Sequence, residues 1–121
     1  MAWQFHSRAP VYLQIVSRIR ADILEGKYQA DEQVPSVRQL AIEAAVNPNT
    51  VQRALTELER EGLLYARSTT GRFVTSDSEV LSRARETMHK EAMARFLADA
   101  LALGITEEEF VTFIKQSKEG R

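Results

Sequence analysis

The residues of this chain best suited to chemistry are polar side chains on two short helical patterns, Ser36 and Arg38 on one, Asn49, Gln52 and Arg53 on the other. Side-chain amides offer a donor beside an acceptor, which matches an adenine edge; the planar guanidinium fork matches a guanine edge or a phosphate. In the run Asn47-Pro48-Asn49-Thr50-Val51-Gln52-Arg53-Ala54-Leu55 these groups stand opposite Val51, Ala54, Leu55 and, further on, Leu58. That is a helical period with one apolar stripe and one rigid polar face. Such a face suits base edges and phosphates in a major groove. Just upstream, Pro35-Ser36-Val37-Arg38-Gln39-Leu40-Ala41 carries Arg38 close to Ser36 at a helix start, where phosphate contact is favoured. Two short helices on either side of a tight connection read as a helix-turn-helix.

Other elements must hold these two helices in place. Pro10, with its fixed φ, is expected at the first position of a helix running to about Glu25, with Tyr12, Ile15, Ile19 and Ile23 on its buried stripe and Gly26 as its stop. Residues 27–34 form a connection pinned to the core by Tyr28 and Val34. Ser36 and Gln39 have the spacing of a capping box, and Val37, Leu40, Ala41 and Ala44 point inwards. Asn47 is the N-cap of the next helix, Pro48 its first residue, and Gly62 its end. Residues 63–66 and 72–75 read as two short strands joined by Ser68-Thr69-Thr70-Gly71, a wing. Thr70, Gly71 and Arg72 are candidate backbone contacts there, with Arg67 alongside.

From Ser78 the pattern changes to a long helix with Leu81, Ala84, Met88, Ala92, Phe96, Ala100 and Leu103 at spacings of three and four. After Gly104, a second capping box (Thr106 to Glu109) opens a short helix with Phe110, Phe113 and Ile114 inwards. A helical hairpin of this size cannot bury a core of its own, so its apolar faces need either the winged domain or a second copy of themselves. Leu81, Met88, Phe96, Phe110, Phe113 and Ile114 are therefore expected in a dimer core rather than around a ligand. Trp3 and Phe5 read either as a flexible tail or as an arm packed on the dimer. The expected fold class is mostly α (α+β): a winged helix-turn-helix domain at residues 9–77, then a short two-helix dimerisation tail at residues 78–121.

These residues resemble the GntR family of bacterial transcription regulators, and within it the YtrA-type members. The matching runs are Pro10-Val11-Tyr12-Leu13-Gln14-Ile15, Val34 through Ala41, Val46 through Leu55, Leu58 through Leu64, and Gly71-Arg72-Phe73-Val74. They run from residue 10 to residue 74, in order and at family spacing. The short tail is what resembles YtrA-type members, which lack the larger effector domains of their relatives. The resemblance implies a homodimer on a palindromic operator, usually acting as a repressor and often on transporter operons. It places DNA contacts at Arg38, Asn47, Asn49, Thr50 and Gln52, with Arg53 beside them, and the wing-tip glycine at Gly71. Two departures stand out. Thr69 replaces a glycine common in the wing, which stiffens the tip, and Ala45 replaces the glycine usual in the helix-turn-helix turn, unfavourably if that position needs positive φ.

Composition bounds the alternatives. The chain has 121 residues, 44% of them hydrophobic, no cysteine and two isolated histidines, His6 and His89. Disulfides and thiolate metal sites are thereby excluded, and no metal or cofactor is expected. No nucleophile–base pairing or phosphate loop points to an enzyme. A cytoplasmic location is expected from the lack of a long apolar run and of a signal-peptide layout. The net charge of −1 looks wrong for a nucleic-acid binder, but residues 1–76 hold nine Lys and Arg against eight Asp and Glu (+1), and residues 77–121 seven against nine (−2). The expectation is a sequence-specific DNA-binding regulator that partners double-stranded DNA and a second copy of itself. The alternative is a winged helix used for protein–protein or RNA contacts. Ligand response stays open: no convergent polar set marks an effector site, and a small apolar effector between the tail helices and the winged domain is the alternative to none.

Overall fold

The computed structural model describes residues 3–119. Helices α1 (Val11–Leu24), α2 (Val37–Ala44) and α3 (Pro48–Arg60) are followed by strands β1 (Leu64–Arg67) and β2 (Gly71–Val74), then helices α4 (Ser78–Ala102) and α5 (Glu107–Glu119). The chain forms two compact units, one ending at Ala84 and one beginning at Arg85.

In the first unit the apolar stripes expected from spacing meet in one core. Ile15 and Ile19 of α1, Leu40 of α2, and Val51, Leu55 and Leu58 of α3 are almost wholly buried, together with Leu63 and Val74 beside and within the wing. Each fully buried side chain of this kind contributes roughly 1.5–3 kcal/mol. Strands β1 and β2 pair antiparallel, Leu64 opposite Val74 and Arg67 opposite Gly71. The connection before α2 runs along the other edge of β2: Asp31 N donates to Val74 O (2.8 Å), Val74 N to Glu32 O (2.9 Å) and Val34 N to Arg72 O (3.0 Å). The wing is thereby tied to the segment that leads into the helix-turn-helix.

Several expectations are corrected. Pro10 is the N-cap of α1 (ψ 141°) rather than its first helical residue, and its carbonyl accepts from Leu13 N at 3.1 Å. Both strands lie one residue from their expected positions. Trp3 is neither a flexible tail nor a dimer arm. It is 8% exposed in the core cluster of its own domain, with Phe5 packed against that cluster, so the folded unit includes residues before position 9. Its indole Nε1 donates to Glu43 Oε1 at 3.3 Å, and the Arg18 guanidinium lies 4.2 Å from the ring centroid. At the other end, Val80, Leu81 and Ala84 pack against the same core. The first turns of α4 therefore belong to the winged unit rather than to a tail beginning at residue 78, and Leu81 packs against that core.

In the second unit, α4 and α5 are joined through Gly104, and Ile105 N donates to Ala100 O at 2.9 Å. The capping box opening α5 is present: Glu109 N donates to Thr106 Oγ1 (3.1 Å) and Thr106 N to Glu109 Oε1 (3.1 Å). The backbone N–H of Thr106 and its hydroxyl (3.0 Å) both donate to Glu109 Oε1 and hold the Glu109 carboxyl below its usual pKa. Among the described residues the two helices do not pack broadly side by side, so the expected hairpin does not close on itself.

Local chemistry at the helix-turn-helix follows the caps. Ser36 Oγ accepts from Gln39 N (3.1 Å) while Gln39 Oε1 accepts from Ser36 N (3.0 Å), the reciprocal pair expected from their spacing. Asn47 Oδ1 accepts from Asn49 N at 2.8 Å and starts α3. Between the helices, Ala45 adopts a left-handed conformation (φ 58°, ψ 49°), with Val46 N donating to Ala41 O at 3.1 Å. A side chain there costs about 1–2 kcal/mol relative to glycine, partly offset by glycine's greater unfolded-state entropy. Ala45→Gly should therefore stabilise the chain by about 1 kcal/mol and raise Tm by roughly 4–8 °C in calorimetry; an unchanged or lower Tm would contradict strain at this turn. Asn47→Ala should cost about 1 kcal/mol in denaturant unfolding, and Asn47→Ser, which can still cap, should recover most of it.

Candidate nucleic-acid interface

Burying Val51, Ala54, Leu55 and Leu58 fixes the rotation of α3 about its axis, and with it the residues that face solvent. Asn49, Gln52, Arg53 and Thr56 are exposed and Thr50 is half-buried. Asn47, at the start of the same face, is exposed but already holds the helix cap. At the start of α2, the N-cap Ser36 and Arg38 are exposed, and the Ser36 hydroxyl oxygen is engaged in the capping box. The structure thus leaves Asn49, Gln52 and Arg53 accessible together on one rigid helix, with Arg38 exposed on the helix packed beside it.

The wing is held from several directions. Residues 67–70 form a turn closed by Thr70 N donating to Arg67 O (2.9 Å), with Ser68 carrying the positive φ of 49°. Thr69, standing where a glycine was expected, does not bear that strain. Gly71 does need its hydrogen: φ is 130°, and a Cβ would lie 2.6 Å from Gln33 Nε2. Gln33 occupies that space because its amide donates to Thr70 O at 2.7 Å. A cleft of about 200 Å³ separates this tip from the start of α2, with Ser36, Val37, Thr70 and Gly71 in its walls.

Arg72 departs from its expected role. Its guanidinium pairs with Glu59 of α3 and its side chain is only 18% exposed, so it ties the wing to α3 rather than standing open to a duplex. Arg67 is open: its guanidinium lies over Phe73 (4.6 Å) and Tyr65 (5.7 Å), whose rings stack at 5.8 Å. The Tyr65 hydroxyl donates to Asp31 Oδ1 at 2.8 Å, which raises its pKa above the usual tyrosine value.

Two participants were not legible in the sequence. Spacing places Tyr12 only in the α1 stripe, yet the Arg53 guanidinium sits 3.8 Å from its ring centroid. Gln33 falls inside the connection at residues 27–34, where no local pattern singles it out. Both contacts join residues distant in sequence, and local spacing carries no signal for them.

Among the described residues no cluster of His, Asp and Glu could hold a metal ion, and no helix is long and apolar enough to cross a membrane.

Comparison with known proteins agrees with this geometry. Residues 11–74 match the family described as bacterial regulatory proteins, gntR family. The chain is 35% identical over 117 residues to the uncharacterized HTH-type transcriptional regulator YhcF of Bacillus subtilis, covering 97% of each chain. It is 33% identical over 111 residues to the HTH-type transcriptional repressor YtrA of the same organism, covering 91% of this chain and 85% of that one. Among solved structures, a GntR family transcriptional regulator from Listeria monocytogenes superposes with a TM-score of 0.82 at 34% identity, covering 93% of this chain and 98% of that one. With a winged helix-turn-helix, an exposed polar face on α3 and this likeness along nearly its whole length, the chain belongs to the GntR family of DNA-binding transcriptional regulators, in its YtrA-type branch.

Proposed function

We propose that the chain is a repressor that binds a palindromic operator as a homodimer. In this reading α3 enters the major groove with Asn49, Gln52 and Arg53 towards the base edges. Ser36, Arg38, Asn47 and Thr50 meet the flanking phosphates, and Thr70 and Gly71 bring the wing tip to the backbone or minor groove. The observation that carries it is the joint exposure of Asn49, Gln52 and Arg53 on a helix whose opposite face is buried. Repression is supported by the likeness to YtrA, itself a repressor.

The case for a homodimer rests on the second unit. Among the described residues, nine of the eleven exposed large hydrophobic side chains lie between Met93 and Ile114. Phe96 is 64% exposed and Phe113 66%, and Phe110 and Ile114 are open as well, while Met88 is half-buried. Met93, Leu97 and Leu101 widen the stripe that Phe96 and Leu103 begin. So many large apolar side chains left open to water mark an association site. A second copy supplies an identical apolar partner, and a two-fold dimer would place half-sites about one DNA turn (~34–36 Å) apart.

Arg38→Ala should weaken binding to operator and random duplex alike, whereas Gln52→Ala should mainly relax sequence preference. Fluorescence anisotropy on both duplexes measures this, and equal losses on both duplexes for both variants would contradict the assigned roles. Wild-type affinity should also fall steeply as salt rises. Phe113→Glu should convert a dimer to a monomer in sedimentation velocity and lower operator affinity at least tenfold. A variant that still sediments as a dimer would remove α5 from the interface.

A further inference from the structure

The arginines of the winged unit fall into distinct groups. Arg20, Arg60 and Arg72 are paired with Glu61, Glu57 and Glu59 respectively. Arg53 is held differently. Its guanidinium lies 3.8 Å from the centroid of the half-buried Tyr12 ring, and among the described residues no carboxylate lies within ion-pair distance of it. A guanidinium on an aromatic face is attracted through its flat side, while its N–H donors lie at the edge. Stacking therefore orders the group without consuming its donors; pairing with a carboxylate would have done both.

We propose that Tyr12 is a positioning residue for DNA recognition: its ring is the platform that holds Arg53 in place for a bidentate acceptor pair of the duplex. This rests on the reading of α3 as the recognition helix and adds a residue from α1 to it. Tyr12 lies in the first turn of α1, and α1 packs against α3, so the core that fixes α3 also fixes the platform. Arginine carries close to 2 kcal/mol of rotamer entropy, and a side chain already ordered loses less of it on binding. The acceptor pair is O6 and N7 of a guanine or two oxygens of a phosphate; both present the same geometry to the fork.

The test uses the full chain with a short duplex selected by the wild-type protein from a random-sequence pool, alongside a random duplex. Tyr12→Phe keeps the ring and should bind within about twofold of wild type. Tyr12→Leu should lose about 2- to 5-fold, the range for an exposed cation–π contact at 1.4 kcal/mol per tenfold. Arg53→Ala should lose tenfold or more, and the Tyr12→Leu/Arg53→Ala double variant should bind no worse than Arg53→Ala alone. Additive losses, or a Tyr12→Phe variant as weak as Tyr12→Leu, would overturn the platform. Loss on the selected duplex alone for Arg53→Ala identifies a guanine edge, and equal loss on both duplexes identifies a phosphate; either sustains the proposal. A readout without DNA guards against simple misfolding. The Arg53 Nε–H proton should be ring-current shifted in NMR spectra of wild type and Tyr12→Phe but not of Tyr12→Leu, and no shift in wild type refutes the contact. If the wild-type protein selects no duplex, the reading of α3 fails and this proposal with it. If it selects one and the variants are additive, only the platform falls.

Discussion

The structure of the winged unit turns on one constraint: Val51, Ala54, Leu55 and Leu58 must leave water together, and only one rotation of α3 allows it. All four are 0–1% exposed, against α1 on one side and α2 on the other. Because a helix is rigid, burying that stripe also decides where Asn49, Gln52 and Arg53 go. No separate energy is needed to aim the polar face. The same core holds Trp3 in front of α1 and the first turns of α4 behind the wing, so one contiguous cluster organises everything from residue 3 to residue 84.

The charge distribution resolves the difficulty posed by a net charge of −1. Three glutamates near the end of α3 would repel a phosphate backbone if left free. Each has its own arginine: Glu57 with Arg60, Glu59 with Arg72, Glu61 with Arg20. The hydrogen bonds from Arg60 also hold the Glu57 carboxyl below its usual pKa, keeping it ionised within its pair. Such surface pairs add little stability. Their consequence here is that acidic charge is matched locally, while Arg38 stays exposed on α2 and Arg53 and Arg67 are ordered by aromatic rings.

Much of this was legible in the sequence because it is local. The capping boxes at Ser36–Gln39 and Thr106–Glu109, the Asn47 cap and the α3 stripe all depend on residues three or four apart, and each formed as its spacing dictates. What escaped was long-range. Trp3 reaches Glu43, Arg72 reaches Glu59, Gln33 reaches Thr70, and Arg53 reaches Tyr12; none of these pairs shares a local pattern. The boundary near residue 84 was missed for a related reason. The apolar period of α4 runs on across it, but Val80, Leu81 and Ala84 are covered by the winged core while Phe96 is not.

The most direct test of the central claim is an NMR titration of the isotopically labelled chain with its selected duplex, following backbone amides and side-chain resonances residue by residue. The largest perturbations should gather on residues 47–56, the start of α2 and the wing tip, leaving the buried stripe of α3 nearly unmoved. Perturbations centred on α5, or spread through the core with the exposed face of α3 silent, would contradict the account.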